Sequence, residues 1–225
     1  MSLISRSSAT ASAAVLALAL VPAGPAAASA PPSSTTLTLS ATESAYGQSV
    51  TASAQVVSAA GQPQGDVVFA VDDLRVKANL GAGGAATVVL PRLLVGTHAV
   101  SATYVPQFPG EQSGSASSTA GWVVAPARSH LQVQVAGRRT RVPTSVRLRV
   151  DGDYGTRPAG RVRIDLRRAG AGRVDRVAVR LDPSGAAVAR LGRLRAGGYR
   201  VEVTYVGDSQ HRRTRASARF RVPRG

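Results

Sequence analysis

The stretch Leu-Leu-Val-Gly-Thr-His-Ala-Val-Ser-Ala-Thr-Tyr-Val at residues 93–105 returns 101 residues later as Leu-Arg-Ala-Gly-Gly-Tyr-Arg-Val-Glu-Val-Thr-Tyr-Val at residues 194–206. A second related pair, residues 63–69 and 158–164, lies 95 residues apart and shares a proline, a glycine and a valine at matching places. Self-similarity at a long, nearly fixed period indicates a repeated structural unit. The chain therefore contains two copies of one unit of about 95 residues.

Both copies alternate apolar and polar residues. The alternation is clearest in the second copy, at residues 145–150, 161–167 and 199–205. Successive side chains on a strand point to opposite faces, so this period buries one face and leaves the other in water. No stretch of either copy sustains the 3.6-residue period of an amphipathic helix. The sequence predicts an all-β fold of two tandem antiparallel β-sandwiches.

The boundary between the copies is predicted within residues 124–128, Val-Ala-Pro-Ala-Arg. Pro126 cannot donate a ladder hydrogen bond and favours extended chain, which suits a short linker. This gives a first domain at residues 31–126 and a second at residues 127–225. Because the two repeat offsets differ by six residues, we expect a longer loop in the second copy around residues 168–173.

Residues 1–30 have the pattern of a secretory signal peptide. Arg6 precedes the apolar run at residues 13–21, and a Pro/Gly break leads to the small tripeptide Ala28-Ser29-Ala30. These are the charged, apolar and cleavage regions of a cleaved leader. The apolar run is far shorter than the roughly 20 residues that span a membrane. We expect cleavage after Ala30 and a secreted or extracellular protein with no transmembrane segment, for which any retention on the cell surface would be non-covalent.

The composition excludes several classes of active site. The 225 residues include no cysteine, three histidines and one methionine. Disulfides, zinc–thiolate sites, iron–sulfur clusters and cysteine nucleophiles are therefore excluded. No catalytic Ser/His/Asp order, glycine-rich phosphate loop or glycosidase carboxylate pair can be assembled. We expect a protein that is not an enzyme and that has no cofactor and no metal site.

Three motifs characterise the first copy. They are Tyr46-Gly47-Gln48 ahead of the second strand, Gly-x-Val-x-Phe at residues 65–69, and Leu-x-x-Gly-x-His-x-Val-x-Ala-x-Tyr at residues 93–104. In this order they resemble the bacterial immunoglobulin-like domain of group 3, over about residues 34–123. The resemblance implies an immunoglobulin-like sandwich in a secreted or surface protein, used as a spacer, adhesion or carbohydrate-associated module. It brings no catalytic residues.

The second copy, about residues 129–223, departs from these motifs. It lacks the Tyr-Gly-Gln turn and has Ile164 and Tyr199 where the first copy has Phe69 and His98. We interpret it as a diverged copy of the same immunoglobulin-like domain.

The charge is concentrated in the second copy. The chain has a formal net charge of +16. Residues 31–126 hold three basic and five acidic side chains, whereas residues 127–225 hold 24 arginines against seven acidic side chains. A GC-rich genome would favour arginine over lysine in both copies alike, so codon bias does not explain the asymmetry. The basic surface is either functional or a solvated surface that has drifted.

One predicted sheet collects many of these arginines. An immunoglobulin-type sandwich places strands C, F and G side by side, here residues 161–167, 199–205 and 216–222. Asp165 and Glu202 share their solvent face and would neutralise part of its charge. Such a face would concentrate polyanions, since a guanidinium fork binds two phosphate oxygens at once. The candidate polyanion-binding residues are Arg161, Arg163, Arg167, Arg200, Arg219 and Arg221.

Two functions therefore remain open from the sequence. The first is a secreted structural or adhesion module, and the second is an electrostatic binder of polyanions through the arginine-rich copy. Candidate partners are phosphate-bearing wall polymers, acidic polysaccharides, anionic lipid head groups and released DNA. Sequence-specific nucleic-acid recognition is not expected, because reader motifs and exposed stacking aromatics are lacking. Arg147 and Arg149 are predicted on the opposite sheet, so the charge is not confined to one side.

The histidines and the single tryptophan are predicted to be structural. His98 shares the parity of Val100 and therefore points toward the core, as a packed histidine rather than a ligand. His130 and His211 are isolated in sequence. Trp122 is expected to pack in a core or against the other domain, because a buried ring removes a large apolar area from water.

Two acidic stretches are predicted to be turns. Asp151-Gly152-Asp153 resembles the start of a calcium loop, but the later ligands are missing, so a β-turn is favoured. Asp72-Asp73 is expected at the end of a hairpin after the third strand of the first copy.

Overall fold

The computed structural model describes residues 29–224. Within that range the chain folds into sheets that are antiparallel except for one pair of strands and that pack as two sandwiches, as the alternation predicts. The predicted leader, residues 1–30, lies almost entirely outside the described residues. The split into domains at residue 126/127 stays a prediction, although each sandwich has its own hydrophobic core.

The first sandwich consists of nine strands. One sheet has the order β1-β3-β6, and the other has the order β2-β9-β7-β4-β5, with β8 paired to β7. β2 pairs with β9 in parallel, and the other pairs are antiparallel. The strands are β1 (Ser33–Leu39), β2 (Glu43–Ala45), β3 (Thr51–Ser58), β4 (Gly65–Val71), β5 (Leu74–Asn79), β6 (Ala85–Val89), β7 (Gly96–Pro106), β8 (Ser115–Ala116) and β9 (Ala120–Ala125).

The second sandwich consists of seven strands and one 3₁₀ turn, Asp153–Gly155. Its sheets have the orders β10-β11-β14 and β13-β12-β15-β16. The adjacent strands β12, β15 and β16 confirm the predicted C, F and G arrangement. The strands are β10 (Ser129–Ala136), β11 (Thr144–Gly152), β12 (Arg161–Arg168), β13 (Gly172–Arg180), β14 (Ala186–Gly192), β15 (Gly197–Tyr205) and β16 (Thr214–Val222).

The two sandwiches match at the position where strand F pairs with strand G. His98 on β7 lies opposite Trp122 on β9, and their ring centroids are 5.7 Å apart. Tyr199 on β15 lies opposite Phe220 on β16, and these rings stack at 5.4 Å. An aromatic pair therefore closes the same end of both cores, which explains why Tyr199 replaces His98 without loss of the fold.

A tyrosine at the end of strand F ties each sandwich to the segment before strand C. The hydroxyl of Tyr104 donates to the carbonyl of Gln64 at 2.8 Å, and that of Tyr205 donates to the carbonyl of Ala159 at 2.8 Å. Both rings are fully buried. The Tyr-Val ending that defines the repeat thus has the same structural role in both copies.

The structure corrects the prediction of a longer loop at residues 168–173. The β12–β13 turn spans only residues 169–171, and the extra residues lengthen both strands of this hairpin relative to β4 and β5. A bulge between Leu166 and Arg167 absorbs the mismatch in register. Residues 174–180 alternate in polarity and continue the β12–β13 ladder. Strand pairing therefore determines the structure here, although the nearby glycines favour a loop.

The linker is also shorter than predicted. Val124 and Ala125 belong to β9, and Val124 is part of the first core. Only residues 126–128 connect the sandwiches. Within them Ala127 is fully buried and forms a parallel bridge with His211. The linker is therefore packed against the second sandwich.

Contacts beyond the linker also join the two sandwiches. We call this contact region the joint; it consists of Tyr46, Gly47, Thr156, Gln210 and His211. The side-chain oxygen of Gln210 accepts a hydrogen bond from the backbone N–H of Val95 at 2.7 Å. Gly47 has a φ of +89°, and a Cβ there would lie 2.4 Å from the methyl group of Thr156. The glycine of the Tyr-Gly-Gln turn therefore permits both the turn and this close approach.

Candidate anion-binding face

The outer face of the sheet β13-β12-β15-β16, here called the arginine face, carries all six predicted arginines. Along β12 the arginines at positions 161, 163 and 167 are exposed, while the intervening Val162, Ile164 and Leu166 are fully buried. The same alternation exposes Arg200 on β15 and both Arg219 and Arg221 on β16. The two-residue period of the strands, with their inner residues in the core, keeps these charges on the solvent side.

Strand register arranges the face in rows that cross the strands. One row aligns Arg167, Arg200 and Arg219 on three neighbouring strands. The next row aligns Asp165, Glu202 and Ser217. A third row aligns Arg163, Thr204 and Arg215. An acidic row thus separates two basic rows, at a spacing of roughly 7 Å per row.

The two acidic side chains neutralise specific arginines. Glu202 lies 3.3 Å from Nε of Arg200 and 3.5 Å from Nε of Arg167. Asp165 lies 2.6 Å from Nε of Arg176 on the edge strand. All these side chains are partly exposed, so each pair adds little stability, on the order of 0–1 kcal/mol. The pairs lower the positive surface potential of the face, because two of the six predicted arginines already have a carboxylate partner.

Five further arginines lie on this face and were not among the predicted residues. Three lie on β13, for which no strand was predicted, and two precede or begin β16. Arg161 lies directly opposite Arg180, and Arg215 lies opposite Thr204. The alternation of arginine with valine in residues 176–180 is the signal that would have found the edge strand. The additional residues are Arg173, Arg176, Arg180, Arg213 and Arg215.

Ion pairing divides the face unevenly. Within residues 29–224, no carboxylate lies within 4.0 Å of the five arginines grouped at the start of β12, the end of β13 and the start of β16. This is also the end of the sheet near the joint. Three of these arginines line a shallow groove beside Thr204. The five, here called the free cluster, are Arg161, Arg163, Arg180, Arg213 and Arg215.

Comparison with known proteins identifies the first sandwich. Residues 37–125 match the family model "Bacterial Ig-like domain (group 3)". Residues 37–125 are therefore a bacterial Ig-like domain. The match ends there, so the assignment of the second copy to this family stays a prediction. No curated protein matches the chain.

Solved structures of other proteins resemble the chain at low identity. The fibronectin(III)-like modules of Clostridium thermocellum CbhA are 15% identical, with 83% of this chain and 94% of that chain covered and a TM-score of 0.33. The Yersinia pseudotuberculosis adhesin InvE is 16% identical, with coverages of 84% and 59% and a TM-score of 0.40. The chicken interferon gamma receptor alpha chain is 9% identical, with coverages of 84% and 98% and a TM-score of 0.44.

The Ig-like domain confirms the packing predictions for Trp122 and His98. The Trp122 ring is buried in the core, and its Nε1–H donates to the hydroxyl of Ser44 at 2.9 Å. The His98 side chain is only 13% exposed and lies 2.7 Å from a carboxylate oxygen of Asp72. Asp72 itself occupies the β4–β5 hairpin turn, as predicted, with a φ of +50°.

The other two histidines each pair with an aspartate, and for His211 that partner, Asp208, lies only three residues earlier in the chain, so the expectation that it is isolated is wrong. Nε2 of His130 lies 2.6 Å from Asp153, and Nδ1 of His211 lies 2.8 Å from Asp208. The predicted turn at residues 151–153 is wrong in detail, because the first two residues still belong to β11 and only Asp153 begins the 3₁₀ turn.

Residues 29–224 contain neither a candidate metal site nor a candidate membrane span. No group of three or more His, Asp or Glu side chains there could hold a metal ion. No helix there is long and apolar enough to cross a membrane. The arginine face is accordingly the candidate site that the described residues offer.

Proposed function

We propose that the chain works outside the cell as a non-catalytic structural or adhesion module. The observation that carries this proposal is the match of residues 37–125 to the bacterial Ig-like domain, combined with the leader-like pattern of residues 1–30. Ig-like sandwiches are rigid units that present loops and sheet faces to partners. Such a unit needs no catalytic residues.

The joint supports this use. A spacer transmits position only when its modules are held together, and here the linker is three residues long and packed. Backbone N–H of Arg212 donates to the carbonyl of Ala127 at 2.8 Å, and that of Ala127 donates to the carbonyl of Gln210 at 2.9 Å. These bonds restrain the linker on both sides of its buried alanine.

The location is tested by expressing the full chain in a bacterial host and measuring intact masses in the medium, envelope and cytosol. We expect a product that begins at Pro31 in the medium or envelope. Ala30→Phe, which removes the small residue before the cut, should leave a longer product as the matched control. Recovery of the unchanged chain from the cytosol with residues 1–30 attached would contradict secretion.

A second function is favoured by one observation, the uneven neutralisation of the arginine face. We propose that this face binds polyanions, with the six predicted arginines Arg161, Arg163, Arg167, Arg200, Arg219 and Arg221 as its first candidates. Arg167 and Arg200 share Glu202, so the other four carry most of the free charge. The groove beside Thr204 is lined by five arginines and also by Asp165 and Glu202, so a bound anion would lie against the guanidinium groups and away from the two carboxylates.

Retention on purified cell envelope across a salt series tests this second function. The mature chain should be retained at low salt and released as salt rises. Replacing Arg161, Arg163, Arg219 and Arg221 by Gln should abolish retention. A control with the same change in charge replaces Arg138, Arg139, Arg147 and Arg190, which lie outside the face. Equal loss in both variants would mean that net charge alone acts, and no retention of the parent chain would leave only the structural function.

A further inference from the structure

We propose that the free cluster, Arg161, Arg163, Arg180, Arg213 and Arg215, is the binding row for a linear phosphodiester polymer of the cell envelope, which lies across the strands near the joint. This inference rests on the proposed anion-binding function of the arginine face. It narrows that function to one end of the face and to one chemical class of partner.

The position of the acidic row favours a linear ligand over a planar one. Asp165 and Glu202 lie one row away from the row formed by Arg163, Thr204 and Arg215. A planar anionic surface, such as a lipid bilayer, would cover both rows and meet the two carboxylates. A linear chain that runs across the strands can follow the basic row, with Asp165 and Glu202, which also line the groove, along only one flank of that row. The geometry therefore favours a linear polyanion.

The side chains around the free cluster favour a phosphodiester as the bound group. Phosphodiesters offer two equivalent non-bridging oxygens, which match the fork of a guanidinium group, and the hydroxyl of Thr204 adds a donor in the groove. Among the described residues, the arginine face carries no exposed aromatic ring, because Tyr199, Tyr205 and Phe220 point into the core. Sugar rings and nucleobases would find no ring to stack on. The phosphates themselves are what this surface can recognise.

Ion pairing explains why this end is favoured over the other. At the far end, Arg167 and Arg200 share Glu202, so a ligand there must compete with that carboxylate. Among the described residues of the face, only Arg219 and Arg221 at that end have no carboxylate within 4.0 Å, against five such arginines in the free cluster. In the free cluster, Arg161 lies directly opposite Arg180, and such like-charged cross-strand pairs repel each other. A bound phosphate would relieve this repulsion, since it places a negative charge between the two guanidinium groups.

The test measures binding of the full mature chain to a fluorescently labelled poly(glycerol phosphate) by anisotropy at several salt concentrations. Arg163→Gln with Arg215→Gln should weaken binding at least about tenfold and flatten the salt dependence. Arg219→Gln with Arg221→Gln removes the same charge from the far end of the face and should weaken binding by less than about threefold. Thermal melting followed by circular dichroism checks that both variants remain folded.

Two further probes test separately the chemical group and the shape of the ligand. Phosphatidylglycerol vesicles present phosphodiesters in a plane, and hyaluronate presents carboxylates on a linear chain. Both should bind more weakly than poly(glycerol phosphate) at equal charge concentration. Equal losses in the two double variants would overturn the assignment to the free cluster while anion binding stands. Tighter binding to vesicles or to hyaluronate would overturn the linear phosphodiester. Failure of the parent chain to bind any probe at low salt would overturn the anion-binding function itself.

Discussion

The ring of Tyr46 in the first sandwich meets the ring of His211 in the second nearly at right angles, with their centroids 5.6 Å apart. His211 is buried, and its Nδ1 lies 2.8 Å from Asp208. Asp208 in turn accepts a hydrogen bond from the hydroxyl of Tyr205 at 2.9 Å. A continuous series of contacts therefore runs from a core tyrosine of the second sandwich to the Tyr-Gly-Gln turn of the first.

Tyr46→Ala should uncouple the two sandwiches. An edge-to-face aromatic contact contributes about 0.5–1.5 kcal/mol beyond its buried area, and here that energy links the modules. Trp122 is the chain's single tryptophan, so its fluorescence reports on the first sandwich, while far-UV circular dichroism reports on both. In urea denaturation, we expect the unfolding midpoints from fluorescence and from circular dichroism to differ more in the variant than in the parent chain.

Phe108→Ala is the control for the loss of an aromatic side chain from the first sandwich away from the joint. Phe108 lies on the first sandwich and is about half exposed, away from the joint. Its loss should leave the separation of the two transitions unchanged. If Tyr46→Ala and Phe108→Ala shift both signals alike, the contact with His211 does not couple the modules.

Tyr205 should make the second sandwich sensitive to alkali. Burial raises the pKa of the Tyr205 hydroxyl, and its hydrogen bond to Asp208 and the charge of that carboxylate raise it further. A raised pKa means that the folded chain holds its proton more tightly than the unfolded chain. Stability from neutral Tyr205 is therefore complete below about pH 10 and is lost as the pH rises toward the folded-state value.

Tyr205→Phe tests this dependence. At pH 7 the variant should lose about 1–2 kcal/mol of stability, because the carbonyl of Ala159 and the carboxylate of Asp208 each lose a donor. Above pH 10 its free energy of unfolding should fall less steeply than that of the parent chain. The comparison is made by urea denaturation at several pH values. Tyr154→Phe, at an exposed position, is the control and should follow the parent at every pH.

His98 should titrate above the ordinary range of histidine. Burial lowers its pKa, but the hydrogen bonds to Asp72 and to the carbonyl of Leu94, with the charge of Asp72, outweigh burial and raise it. Both ring nitrogens face acceptors, Nδ1 at 2.7 Å and Nε2 at 2.9 Å, which suits the protonated ring. The stability contributed by this pair is present below about pH 6.5 and is lost as the pH rises through the folded-state value.

Asp72→Asn should lower the pKa of His98 in an NMR titration of the ring protons. Asparagine tolerates the positive φ of position 72, so the hairpin turn should persist. Asp73→Asn removes the same charge from the adjacent position of the turn and serves as the control. An unchanged His98 titration in Asp72→Asn, or an equal shift in Asp73→Asn, would show that the hydrogen bond does not govern this group.

The sequence predicted the strands well, because a strand with one buried face alternates apolar and polar residues with a period of two. The predicted strand at residues 161–167 is observed as Arg161–Arg168, and the predicted strand at residues 199–205 begins two residues earlier. The six predicted arginines lie on one face for the same reason. Repeated sequence motifs also located both core tyrosines, Tyr104 and Tyr205.

Pairing between distant residues could not be predicted in the same way. The partnership of Glu202 with Arg167 depends on register, and a shift of one residue would send either side chain to the opposite face. The joint brings Tyr46 to His211 across more than 160 residues, and neither local pattern indicates the other. The bulge at Leu166/Arg167 likewise arises from the packing of the hairpin rather than from local propensity.

Glu202→Gln should strengthen polyanion binding by the arginine face. The substitution keeps the size of the side chain and removes the negative charge that Arg167 and Arg200 share. Both pairs are partly exposed, so folding stability should change by less than about 1 kcal/mol. Retention on cell envelope should then persist to higher salt, since the middle row of the face repels the ligand less when Asp165 is its only carboxylate.

Glu111→Gln provides the matched control for this prediction. Glu111 is exposed on the first sandwich, and its replacement raises the net charge by the same amount at a distance from the face. If only Glu202→Gln moves the salt concentration at which the chain is released, the local potential of the face determines binding. An equal effect of both substitutions would assign retention to net charge, and weaker retention in Glu202→Gln would mean that the ion pairs hold Arg167 and Arg200 in the conformation that binds.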